Sequence, residues 1–117
     1  MNSQRIKAGA VLYADFTLHG GRHFGVVVAH DGDRVVAARG TSYRPWENGP
    51  GSKWLPTSFL VDEDEVAGTG LHHGTRFDFD ELQSFEVKDI SIRGCVQKTH
   101  DVMARWDAAR SGRAMRP

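Results

Sequence analysis

The strongest constraint on this chain is the stretch Phe24–Ser42, FGVVVAHDGDRVVAARGTS. Asp31-Gly32-Asp33 sits between two apolar runs, Phe24–Ala29 and Val35–Ala38. Asp-Gly between β-branched runs specifies a hairpin, because glycine reaches the positive φ that a tight turn needs. A further strand, Ala10–Phe16, precedes it across a loop holding His19, Gly20, Gly21, Arg22 and His23. That loop and the Thr41-Ser42 pair put titratable and hydroxyl groups at strand ends, where binding and chemistry concentrate on a rigid sheet.

The rest of the chain reads as short strands. Residues 40–58, GTSYRPWENGPGSKWLPTS, are punctuated by Gly, Pro, Ser and Asn and cannot form one regular element. Phe59-Leu60-Val61 is a short apolar strand. Thr75–Phe79 alternates, with Phe77 and Phe79 on one face and Arg76, Asp78 and Asp80 on the other, as in a half-buried strand. Phe85 and Val87, then Ile90, Ile92 and Val96, continue the pattern. Only Thr99–Arg110 looks helical: Val102, Met103, Trp106 and Ala109 form a narrow apolar stripe, Thr99 is placed to cap it, and Gly112 marks its stop. These elements predict a mainly β fold, a small and strongly bent antiparallel barrel with one C-terminal helix. Residues 1–117 read as a single domain with its core between about 7 and 110 and a tail over 111–117.

Composition bounds the function. With 39% hydrophobic and 26% charged residues the chain reads as an ordinary globular domain. No apolar run approaches the roughly 20 residues needed to cross a bilayer, and MNSQRIKAGA lacks the apolar core of a signal peptide. The expected location is the cytoplasm, with no membrane partner. Cys95 is the only cysteine, so no intrachain disulfide forms, and it reads as a small buried hydrophobe. His72-His73 lacks metal-ligand spacing, and neighbouring strand residues point to opposite faces, so no metal is expected.

The net charge of zero is unevenly spread. Residues 60–90 hold nine acids against Arg76 and Lys88, whereas residues 97–117 hold five bases against Asp101 and Asp107. The long loop adds Tyr43, Arg44, Trp46, Lys53 and Trp54, aromatic and cationic types that stack on bases and meet phosphates.

Order and spacing over roughly residues 7–110 resemble the PemK/MazF-type toxin family. Ala8–Phe16, AGAVLYADF, is similar to the family's first strand, which ends in "DF". Gly25-Val26-Val27-Val28 is similar to its valine-rich second strand, and Val35–Ser42 to its third, ending in Thr-Ser. Gly70-Leu71, Thr75-Arg76-Phe77 and Gly94-Cys95-Val96 fall where the family places "GL", a hydroxyl residue leading a strand, and a glycine before the last helix.

The resemblance implies an SH3-like barrel of PemK/MazF/CcdB type. Its implied activity is sequence-selective cleavage of single-stranded RNA by the ribose 2′-OH, without a metal or other cofactor, by a homodimer neutralised by an antitoxin protein. The family's usual catalytic positions are an Arg before the Pro of the second strand and the Thr of Thr-Ser. Aligned on the valines, this sequence has His23 at the Arg position, Phe24 at the Pro position and Arg22 one residue earlier, while Thr41 and Ser42 match. The candidate catalytic set is Arg22, His23, Thr41 and Ser42, with His23, whose ordinary pKa near ~6.5 suits proton transfer, as the titrating group. The candidate RNA contacts are His19, Tyr43, Arg44, Trp46, Lys53 and Trp54. The departure from Arg-Pro leaves an alternative open, a non-catalytic barrel that binds a protein partner in the manner of CcdB or an adaptor.

Overall fold

The structure, a computed structural model, describes residues 6–17, 20–42 and 58–115, with side chains of the last helix described as far as residue 108. Six strands form one antiparallel sheet: β1 (Ala10–Phe16), β2 (Gly21–Asp31), β3 (Arg34–Ser42), β4 (Ser58–Val61), β5 (Thr75–Glu86) and β6 (Ser91–Cys95). Their order across the sheet is β4-β5-β3-β2-β1-β6, and a helix, α1 (Thr99–Met115), ends the chain. The expected hairpin is present, with Asp31 opposite Arg34 and Gly32 at φ +61°.

The valine run explains the shape. Val26, Val27 and Val28 are all buried, so β2 is covered on both faces, which is why it reads as a continuous apolar run rather than an alternation. One face meets Val11, Ala38, Phe77, Phe79 and, from α1, Val102. The other meets Leu12, Ala14, Phe16, Val35, Ala37 and Phe85. The sheet buries both faces by curling on itself and by packing α1 against one of them. Register shifts at Val27/Ala29, Ala38/Arg39 and Val11/Leu12 supply the extra bend.

The two alternating segments seen in the sequence, Thr75–Phe79 and Phe85–Val87, meet in the single twelve-residue strand β5, whose pairing with β3 skips from Asp78 to Leu82. The helix continues past Gly112 to Met115. Cys95 is exposed rather than buried, because it closes β6, an edge strand with Ser91, Ile92 and Arg93 exposed as well.

Two contacts tie elements of the fold together. Phe16 packs edge-on against Phe85, with ring centroids 4.8 Å apart, and it fills the space above Gly25. A Cβ built on Gly25 lies 2.6 Å from Phe16 Cζ and 3.0 Å from the Ala38 carbonyl oxygen. On the other side Lys98 Nζ, just before α1, reaches Glu65 Oε2 at 2.9 Å.

Gly25→Ala is therefore expected to cost about 1–3 kcal/mol, the usual range for overpacking, and urea unfolding reads it directly; an unchanged midpoint contradicts the packing account. A second expectation concerns acid. The hydrogen bond from Lys98, then that from the Asp62 backbone N–H, hold the Glu65 carboxyl below its ordinary 4.5. A lowered folded pKa gives stability that is complete above the ordinary value and lost as pH falls through the folded one. The urea midpoints of wild type and Glu65→Gln should differ slightly at neutral pH and converge well below pH 4.5, whereas a constant gap contradicts the assignment.

Candidate functional site

The β2–β3 ladder stops at Gly25↔Arg39. Beyond that pair β2 continues alongside β1, with His23 opposite Ala14 and Arg22 opposite Asp15. β3 continues instead alongside β5, with Thr41 opposite Arg76 and Ser42 opposite Thr75. The sheet forks there, and the candidate residues sit on the two arms of the fork.

Alternation decides which way each side chain faces. Gly25 faces Phe16, so His23 shares that side, and its ring lies 6.3 Å from the Phe16 ring in an edge contact. Arg39, directly across from Gly25, faces the same way, as do Thr41 two residues on and Arg76 across from it. His23, Arg39, Thr41 and Arg76 thus share one face of the fork. Gly40 faces Phe77 on the opposite side, and Ser42 shares that side.

Both arginines hold carboxylates. Arg39 Nε donates to Glu81 Oε1 at 2.7 Å. Arg76 lies against Asp78, with Nη2 3.2 Å from Oδ2 and Nε 3.1 Å from Oδ1. The buried Nε–H makes no hydrogen bond among the described residues, so that contact is an ion pair with poor angular fit. Asp78 also accepts from the buried Ser58 hydroxyl at 2.8 Å, which fixes the carboxylate in place.

The opposite face of the fork is bridged by His72-His73. His72 packs edge-on against Phe24 of β2 at 5.5 Å, and His73 Nε2 lies 2.6 Å from Ser42 Oγ of β3. Phe24 extends the contact to Tyr13, at 5.1 Å, and the Arg93 guanidinium sits 5.0 Å over the Tyr13 ring.

Arg22 goes elsewhere. It is exposed, and with Asp15, Arg34, Gln83, Ser84 and Glu86 it lines a groove of about 410 Å³. Alternation separates it from His23 and Thr41. His19, Tyr43, Arg44, Trp46, Lys53 and Trp54 lie outside the described residues. Arg39, Arg76 and His73 are additions to the sequence reading. Arg39 has a sequence signal, since it stands two residues before Thr41 and alternation puts both on one face. Arg76 and His73 have none, since only strand register and a loop contact bring them to β3.

Among the described residues Asp62, Asp64 and Glu65 could together offer oxygen ligands to a cation, but they are surface residues of the turn after β4. Glu65 there already binds Lys98. That cluster is separate from the fork.

No family model matches the chain, and no curated protein does. Solved structures do match. An endoribonuclease from a mycobacterial species, in complex with its cognate antitoxin, has a TM-score of 0.61 at 17% identity, over 94% of this chain and 96% of that one. Another mycobacterial endoribonuclease gives 0.60 at 17%, over 90% and 89%. MazE–MazF from Deinococcus radiodurans gives 0.60 at 18%, over 95% and 96%. This chain has the fold of the MazF-type endoribonuclease toxins.

The ion pairs generate a prediction about polyanion binding. Glu81→Gln releases Arg39 and should tighten binding of a short single-stranded oligoribonucleotide. Arg39→Ala should weaken it and lower the slope of log K against log salt by about 1. Fluorescence anisotropy at several salt concentrations measures both; identical curves for wild type and the two variants contradict a role for Arg39.

Proposed function

We propose that the chain, carrying a MazF-type fold, is a toxin-like endoribonuclease that cuts single-stranded RNA at the fork between β2 and β3. The observation that carries this reading is the placement of His23, Arg39, Thr41 and Arg76 on one face of the fork, which strand register and alternation give. Cleavage through the ribose 2′-OH requires a base for that hydroxyl, positive charge for the developing phosphorane and an acid for the leaving oxygen. His23 takes the 2′-OH proton as the oxygen attacks the adjacent phosphorus. The O2′–P bond forms, the P–O5′ bond breaks, and the products are a 2′,3′-cyclic phosphate and a 5′-hydroxyl. Arg76 and Arg39 hold the phosphate oxygens, and Thr41 donates its hydroxyl to one of them. Side chains supply the base and the positive charge, and the leaving O5′ is completed by a proton from an acid or from water, so the proposed reaction uses no metal.

The sequence after Ser42 carries Tyr43, Arg44, Trp46, Lys53 and Trp54, and the sequence before β2 carries His19, residue types suited to flanking bases and phosphates. Arg22 serves the strand outside the fork. Selectivity for a short sequence, assembly as a homodimer, neutralisation by an antitoxin and action in the cytoplasm belong to the same reading. The antitoxin partner is supported by two solved neighbours with this fold, one in complex with its cognate antitoxin and the other a MazE–MazF complex.

A second reading is favoured by one observation, the carboxylate partner already held by each arginine. Such pairs suit a barrel whose charges are structural and whose partner is a protein. Cleavage of a long single-stranded RNA in EDTA separates the two. The nuclease reading expects discrete cuts bearing cyclic-phosphate ends, reduced about 10²–10⁴-fold in His23→Ala and less in Thr41→Ala. Intact RNA with folded wild type, or cuts that survive His23→Ala, contradicts it.

A further inference from the structure

His72-His73 has no part in the reaction as described, yet among the described residues it is a loop segment at the fork held on both sides. Leu71 before it is buried in the core, with its N–H donating to Thr69 Oγ1 at 3.0 Å. Gly74 after it donates its N–H to Glu63 Oε1 at 2.8 Å, and the Thr75 hydroxyl donates to the His73 carbonyl at 2.9 Å. These bonds fix the backbone on both sides of His73. Its ring nitrogen Nε2 then lies 2.6 Å from the Ser42 hydroxyl, next in sequence to Thr41. The ring is only half-buried, so solvent can restore its proton. Glu63 through Gly74 and the neighbouring His72 are the titratable groups held at this loop, and Ser42 faces the ring from β3.

Resting on the ribonuclease reading above, we infer that His73 is the general acid of this site, and that Ser42 marks the position the leaving 5′-oxygen occupies. Displacement at phosphorus is in line, so the base that takes the 2′-OH proton and the acid that meets the departing oxygen stand on opposite sides of the phosphate. His23 lies on the Phe16 side of the fork and the His73–Ser42 pair on the Phe77 side. As the P–O5′ bond breaks, the Nε2 proton of the His73 imidazolium passes to O5′. The 2′-OH proton resides on His23, and proton exchange with water resets both rings.

The experiment compares wild type, His23→Ala and His73→Ala in EDTA on two oligoribonucleotides, one ordinary and one with sulfur in place of the 5′-bridging oxygen at the cut site. A thiolate leaves without an acid. The expected result is a loss of about a hundredfold or more for His73→Ala on the oxygen substrate, largely regained on the sulfur substrate. His23→Ala should be impaired on both. Ser42→Ala, which keeps the imidazole, should lose less than His73→Ala. Equal impairment of His73→Ala on the two substrates, or full activity on the ordinary one, overturns the acid role while leaving the ribonuclease reading in place. Absence of any cut by wild type overturns that reading and the role of His73 with it.

Discussion

The packing of Phe16 onto Gly25 is the contact on which the rest of the structure depends. Only a residue without a side chain lets that ring approach, since a Cβ there would meet it at 2.6 Å. The approach draws the end of β1 across the sheet to Phe85 and closes the second half of the core. It also coincides with the point at which β2 leaves β3. From Gly25 onward β2 follows β1 and β3 follows β5, and the candidate site is the opening between them. Fold and candidate site thus meet at one tight contact.

Charge at the fork is balanced rather than free. Arg39 and Arg76 each hold a carboxylate, and Asp78 is fixed in turn by Ser58. Partly buried ion pairs of this kind orient a guanidinium at some expense in desolvation. A phosphate approaching the fork competes with Glu81 and Asp78 for the same N–H groups. In the proposed reading, a polyanion that brings several phosphates is favoured over an isolated anion.

Much of the fold could be read from the sequence. Asp31-Gly32-Asp33 between valine runs marks the hairpin, and the alternation around Phe77 and Phe79 marks the strand that covers it. What could not be read depends on contacts far apart in the chain. The irregularity between Asp78 and Leu82 hides the continuity of β5, because it breaks the two-residue period. Cys95 looks like a core residue beside Gly94 and Val96, and it is exposed because β6 lies at the sheet edge. For the site, neighbours in sequence mislead. Arg22 and His23 are adjacent and so face opposite ways, whereas Arg76 joins Thr41 through a register that no local pattern encodes. His73 reaches Ser42 from a loop 31 residues away.

The central claim is that the fork between β2 and β3 receives single-stranded RNA. Amide chemical-shift mapping with a 2′-O-methyl oligoribonucleotide, which binds but lacks the attacking hydroxyl, tests it most directly. The largest shifts are expected at His23, Gly25, Arg39, Thr41 and Arg76, with His73 following. Shifts confined to the groove of Arg22 and Arg34, or to the β4 edge, with the fork unmoved, would contradict it.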